Sequence, residues 1–259
     1  MKSPGTRRTA VVLIVIAVIV LPVWRVIDMA PTTSFPGHFG VFGEMMNSIE
    51  TLVFPLLIVL VTCLGFYQAL VARHVANTRA RIGVRTYFGR RLASSAGGAA
   101  ALFFFQTLTA FVVAYLVWPA VGDPSLESDL SAAEATAASY TDFAFGTFLR
   151  QGELFFGIAY SLWVALAAAA YAALAVCLLV TISSRILALA SPFLLYIASE
   201  LIFALAGVPQ LSFRFSTFPM GLIGTDPLFA AAPNLVLLMF VAAFAVYVIR
   251  RAPTNPRLA

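Results

Sequence analysis

The sequence predicts an all-α polytopic membrane protein with six transmembrane helices and both termini on the cytoplasmic side. Three observations carry that prediction. Of the 259 residues, 61% are hydrophobic and 10% charged, with mean hydropathy +0.96, whereas soluble domains carry roughly a quarter charged residues. The apolar residues fall in long runs, and about 18 or more apolar residues in succession can cross a bilayer as a helix. The cations are sorted by segment. Thirteen of the sixteen Arg and Lys, and none of the eleven acids, fall in the four segments that six crossings put on one side. Lys and Arg accumulate in cytoplasmic loops, so that side faces the cytoplasm.

The formal charge of +5 does not point to nucleic acid, because the arginines sit between apolar runs, where topology accounts for them. Cys63 and Cys177 lie inside apolar runs and read as small buried hydrophobes rather than as a disulfide or metal pair.

Taken in order, the first span covers residues 9–24, behind a tail with Lys2, Arg7 and Arg8. A signal peptide begins the same way. Here the run ends in WRVIDMA, with Asp28 where cleavage needs a small residue, so a retained signal-anchor is expected. The loop 25–48 carries Pro31, Pro36, Gly37, Gly40, Gly43 and several phenylalanines. It is too broken for a span and too apolar for free solvation, which predicts a position at the outer interface. The second span covers 49–72 and holds Pro55, tolerable where neighbours satisfy the freed carbonyl.

The third span, 93–117, opens with SSAGGAAA, small residues that let helix backbones approach closely. Tyr115 and Trp118 mark its outer end as interfacial anchors. The polar stretch 120–152 contains Asp123, Glu127, Asp129, Glu134 and Asp142, then Phe143, Phe145 and Phe148 positioned to turn back toward lipid. The fourth span, 153–182, contains ALAAAAYAALAV, and the turn SSR leads directly into the fifth, 186–207, with Pro192 and Glu200 inside it. A Phe- and Pro-rich linker, 208–228, with Arg214 and Asp226, reads as partly embedded; the sixth span covers 229–248.

Catalytic motifs are missing from the sequence. It has no GxxxxGK[ST] to cradle a nucleotide, no GxSxG and no HExxH. Its two histidines, His38 and His74, fall in loops on opposite sides, so no His-based metal site forms within the membrane. Among ionisable residues inside the spans, functional candidates by default, Glu200 stands out. It lies about 21 Å from the inner end of the fifth span at ~1.5 Å per residue. Glu200, Tyr196, Gln106 and Tyr160 either line a translocation path or serve as packing and hydrogen-bonding groups between helices; both readings stay open.

The segment 73–92 is the densest charge in the chain, with six arginines, His74 and no acid. It also carries Ile82, Val84, Tyr87, Phe88 and Leu92. Val84, Phe88 and Leu92 follow at four-residue spacing and share a helical stripe, with Gly83 and Gly89 expected to break the segment. Such an interfacial element suits anionic lipid or a partner protein.

Three stretches carry a family resemblance: RTYFGRRLASS entering the third span, SSRILALASPFLLYI between the fourth and fifth, and LSFRFSTFPMGLIG before the sixth. In these, and in its loop pattern, the chain resembles the ABC-2 type (type V exporter) ABC transporter permease family. That resemblance implies a short cytosolic coupling helix between spans 2 and 3, over Asn77 to Arg91, docked on a separate ABC ATPase subunit. Arg79, Arg81, Ile82, Val84, Arg85, Tyr87, Phe88, Arg90 and Arg91 would form that contact. It further implies short helices dipping into the outer leaflet over Pro209 to Leu222, and a second permease copy or a related permease as partner. The small-residue faces of spans 3 and 4 are candidate contact surfaces. The chain would bind no cofactor itself, with ATP and Mg held on the ATPase. It would sit in a bacterial cytoplasmic membrane and export an apolar or amphipathic substrate such as a lipid, drug or peptide. An ion-gradient-driven carrier using Glu200, and a non-transporting membrane scaffold or immunity-type protein, are the alternatives.

Overall fold

The computed structural model describes residues 4–35, 37–71, 83–121 and 143–254. Among these residues the structure is helical, with one isolated antiparallel bridge, Phe143 to Ile223, and no strand. We number the α-helices α1 (Pro4–Met29), α2 (Gly37–Met46), α3 (Ile49–Leu52), α4 (Phe54–Ile58), α5 (Leu64–Val71) and α6 (Val84–Val112). The rest are α7 (Trp118–Ala120), α8 (Gly146–Leu149), α9 (Glu153–Thr181), α10 (Arg185–Leu205), α11 (Phe213–Thr217) and α12 (Pro227–Arg251). Six helical stretches are long and apolar enough to cross a membrane, so the chain is a multi-pass membrane protein.

The fourth span, α9, is the axis of the bundle. Most of its residues are buried, including the tract from Ala165 to Cys177 apart from Leu166 and Ala169. Alanine side chains add little radius, so α6 and the second span close directly on it. At Gly157 the packing leaves no room for a side chain, since an added Cβ would lie 2.6 Å from the Phe111 ring. The small-residue face of span 4 therefore packs within this chain, with Ala168 and Ala172 fully buried, whereas of the small residues opening span 3 only Ser95 and Ala99 are buried.

The second span is discontinuous, and Pro55 explains how. Lacking an N–H, it cannot donate to the Thr51 carbonyl four residues back, and the helix breaks at Val53 between α3 and α4. The Tyr196 hydroxyl of α10 donates to that carbonyl at 2.8 Å. Further on, Val59–Cys63 forms a π-helical turn. Ser95 of α6 donates to the Thr62 carbonyl there at 3.3 Å, and Gly98 meets the Thr62 methyl at ordinary contact distance, 3.7 Å from its Cβ position. A second π turn, Val113–Val117, lies in the third span.

The structure revises several boundaries. The third span begins at Val84 rather than 93, because Gly83 is its N-cap and Gly89 does not interrupt the helix. Burial of Phe88 against Phe66 offsets the roughly 1 kcal/mol that an interior glycine costs. The loop 25–48 contains a real helix, α2, whose Phe39, Val41, Phe42 and Met45 are buried in the bundle rather than at its surface. Phe145 likewise packs against Tyr160 and Trp163 rather than lipid.

The two ends of the bundle differ in charge. Arg85, Arg90, Arg91, Arg185, Arg250 and Arg251 cluster at helix termini around one end, where Arg85 Nη2 donates to the Arg250 carbonyl at 3.2 Å. No acid lies in residues 83–92, 181–186 or 248–254. The opposite end holds the acids Glu44, Glu50, Glu200 and Asp226, and short pieces of helix.

Candidate functional site

At this opposite, acid-bearing end a cavity of about 530 Å³ opens between α2, the α1–α2 loop and α11. Its origin lies in α2. One face, with Val41, Phe42 and Met45, is buried in the core. The other presents Gly40, Gly43, Glu44 and Asn47 to the cavity. Glycines 37, 40 and 43 recur every three residues and share a helical face, so that face is bare. Gly37 opens the helix with φ of 70°, a conformation glycine adopts without strain. Rings supply the remaining walls: Phe35, Phe39, Phe143, Phe215 and Phe218.

An ionic network frames the cavity and joins four elements. Arg214 of α11 donates from Nη1 to Glu200 Oε1 of α10 at 2.6 Å, and from Nη2 to Asn47 Oδ1 at 3.0 Å. Its guanidinium lies 5.6 Å over the Phe215 ring. Arg25 of α1 donates to the Asn47 main-chain carbonyl at 2.9 Å and stands 3.8 Å from Glu44. Asn47 thus receives one arginine on its side chain and the other on its backbone. Glu200 and Arg214 are about four-fifths buried, whereas Glu44 is 37% exposed and only loosely paired.

The linker before α12 forms short helical pieces, Pro209–Leu211, α11 and Pro219–Gly221. Polar side chains fasten it. The Ser199 hydroxyl accepts from the Phe213 N–H at 3.2 Å, and Trp163 Nε1 donates to the Ser216 carbonyl at 2.9 Å. The Asn234 N–H and side-chain amide donate to the Ser216 and Thr217 hydroxyls at 3.1 and 2.9 Å.

The residues singled out from sequence divide into three groups. Arg79, Arg81 and Ile82 lie outside the described residues. Arg85, Arg90 and Arg91 are exposed at the arginine-bearing end, Val84 and Tyr87 are half-buried, and Arg91 lies 5.7 Å over the Tyr87 ring. Phe88 is 0% exposed, so its ring supports the bundle and offers no free surface. Of the path candidates, Glu200 and Tyr196 stand near the cavity wall, while Tyr160 and Gln106 are buried in the bundle. Tyr160 is enclosed by Phe42, Phe145 and Phe156, and Gln106 accepts from the Thr107 hydroxyl at 3.2 Å.

Sequence reasoning missed Glu44, Asn47 and Arg214 as a set. The triplet spacing of glycines beside Glu44, and an arginine inside an apolar linker, were the available signals. Among the described residues no three His, Cys, Asp or Glu side chains gather as a metal site. The cavity combines aromatic side chains with the charged groups of Glu44 and Arg214. Comparison with protein-family models, curated proteins and solved structures finds no match.

Proposed function

We propose that this chain is the membrane-spanning permease subunit of a bacterial ABC exporter, which moves an apolar or amphipathic substrate with energy from a separate ATPase. The observation that carries this reading is the clustering of six arginines without an acid at one end of a six-helix bundle. Cations in such excess mark the cytoplasmic face. The exposed Arg85, Arg90 and Arg91 begin the third span, so a force applied there acts on a helix running directly along the buried α9. The sequence contains no nucleotide-binding loop, and energy from ATP would have to enter through such a surface. A second permease copy, or a related chain, would complete the pathway.

The burial of Phe88 bears on which residues would form the proposed docking surface. With Phe88 turned inward, that surface would rest on Arg85, Tyr87, Arg90 and Arg91, together with the residues before 83. The test is co-expression with an ABC ATPase, chosen from any whose gene adjoins the one for this chain. Joint replacement of Arg85, Arg90 and Arg91 by alanine should abolish co-purification while leaving membrane insertion intact. An ATPase that stays bound to the triple variant would overturn the docking assignment.

A further inference from the structure

We propose that the cavity beside α2 is a binding site for an amphipathic organic cation, an amine or onium group on an aromatic or aliphatic body. Its volume of about 530 Å³ falls within the roughly 300–1,000 Å³ of small-molecule sites. The charge preference follows from how the four ionic groups are satisfied. Arg214 is compensated at 2.6 Å by Glu200 and held again by Asn47, which leaves it little attraction for an anion. Glu44 lines the cavity, and its nearest cation, Arg25, stands 3.8 Å away with a hydrogen bond committed to the Asn47 carbonyl. Of the two charged residues that line the cavity, Glu44 is thus the more loosely compensated, with its counter-ion at 3.8 Å against 2.6 Å for Arg214. Aromatic faces add to the preference, because the ring quadrupole attracts cations and repels anions. Phe35, Phe39 and Phe143 line the same cavity, and Phe143 is the most exposed of the three. The bare surface at Gly43, where an added Cβ would meet nothing within 4 Å, leaves room for the body of the ligand.

This site stands independently of any ATPase coupling and is tested without one. Tetraphenylphosphonium and tetraphenylborate share shape and apolarity but carry opposite charge. Equilibrium dialysis of each against the full chain in maltoside micelles should show saturable binding of the phosphonium and none of the borate. Glu44→Gln should weaken phosphonium binding by roughly tenfold or more, the loss of one ion pair in partly desolvated surroundings. Glu153→Gln, the same charge change away from the cavity, should leave it unaltered. Gly43→Leu, which fills the cavity from a helix position open to a side chain, should remove it. Equal binding of both ions, preference for the borate, or phosphonium binding indifferent to Glu44→Gln would each overturn the proposal.

Discussion

Arg214 shows what a single charge does in this bundle. It sits in an apolar linker, 22% exposed, and its position is held by Glu200 and Asn47. Arg214→Ala would strand the Glu200 carboxylate, and removing one partner of a buried pair costs about 3–5 kcal/mol. The largely buried geometry places the loss toward the lower end of that range. We expect a marked drop in thermal stability in detergent, with most of it recovered in the Glu200→Ala, Arg214→Ala double variant. An equal drop in single and double variants would mean the pair is not the origin of the effect. Tyr196 makes a second residue-scale case. Its hydroxyl answers the carbonyl that Pro55 leaves free, so Tyr196→Phe should cost roughly 1–3 kcal/mol as an orphaned buried acceptor. In a Pro55→Ala background, where an amide is again available, chemical denaturation should register a smaller loss. The need for a partner at Thr51 was legible from Pro55 alone. That Tyr196 supplies it was not, because the two lie 145 residues apart in sequence.

Among the elements, α9 governs the packing. Its alanines predicted close approach, and the structure adds that the surface approaching is α6 of the same chain, brought to within 2.6 Å of a hypothetical Gly157 side chain. Phe111 cannot yield easily, since it stacks on Tyr115 at 4.7 Å and meets Phe42 edge-on. Gly157→Ala should therefore destabilise by about 1–3 kcal/mol through overpacking, whereas Gly98→Ala, with ordinary contacts, should be close to neutral. Thermal unfolding of the two variants side by side separates these outcomes. The long spans were readable because hydropathy over about 20 residues outweighs local detail. α2 was not, since glycines at 37, 40 and 43 lower helix propensity and its ten residues are too few to span. Tertiary burial of Phe39, Phe42 and Met45 makes it a helix. Phe88 failed for a related reason. Periodicity gave its stripe, but which neighbour that stripe faced depended on Phe66 of the second span.

For the whole molecule, the decisive property is polarity from end to end. The arginines at 85, 90, 91, 185, 250 and 251 meet around one end although they come from distant segments, while the cavity and its ionic frame occupy the other. We propose that energy enters at the first end and substrate is handled along the bundle toward the second. The sorting of charge was visible in sequence because it needs only a count per loop. The cavity required the fold, as it is assembled from residues between Thr33 and Met220. The measurement that bears most directly on this polarity is site-specific photo-crosslinking. A benzophenone amino acid at the exposed position 90 should trap the co-expressed ATPase, and one at Ile223, 72% exposed at the opposite end, should not. Crosslinking from position 223, or none from position 90 in a complex that hydrolyses ATP, would contradict it.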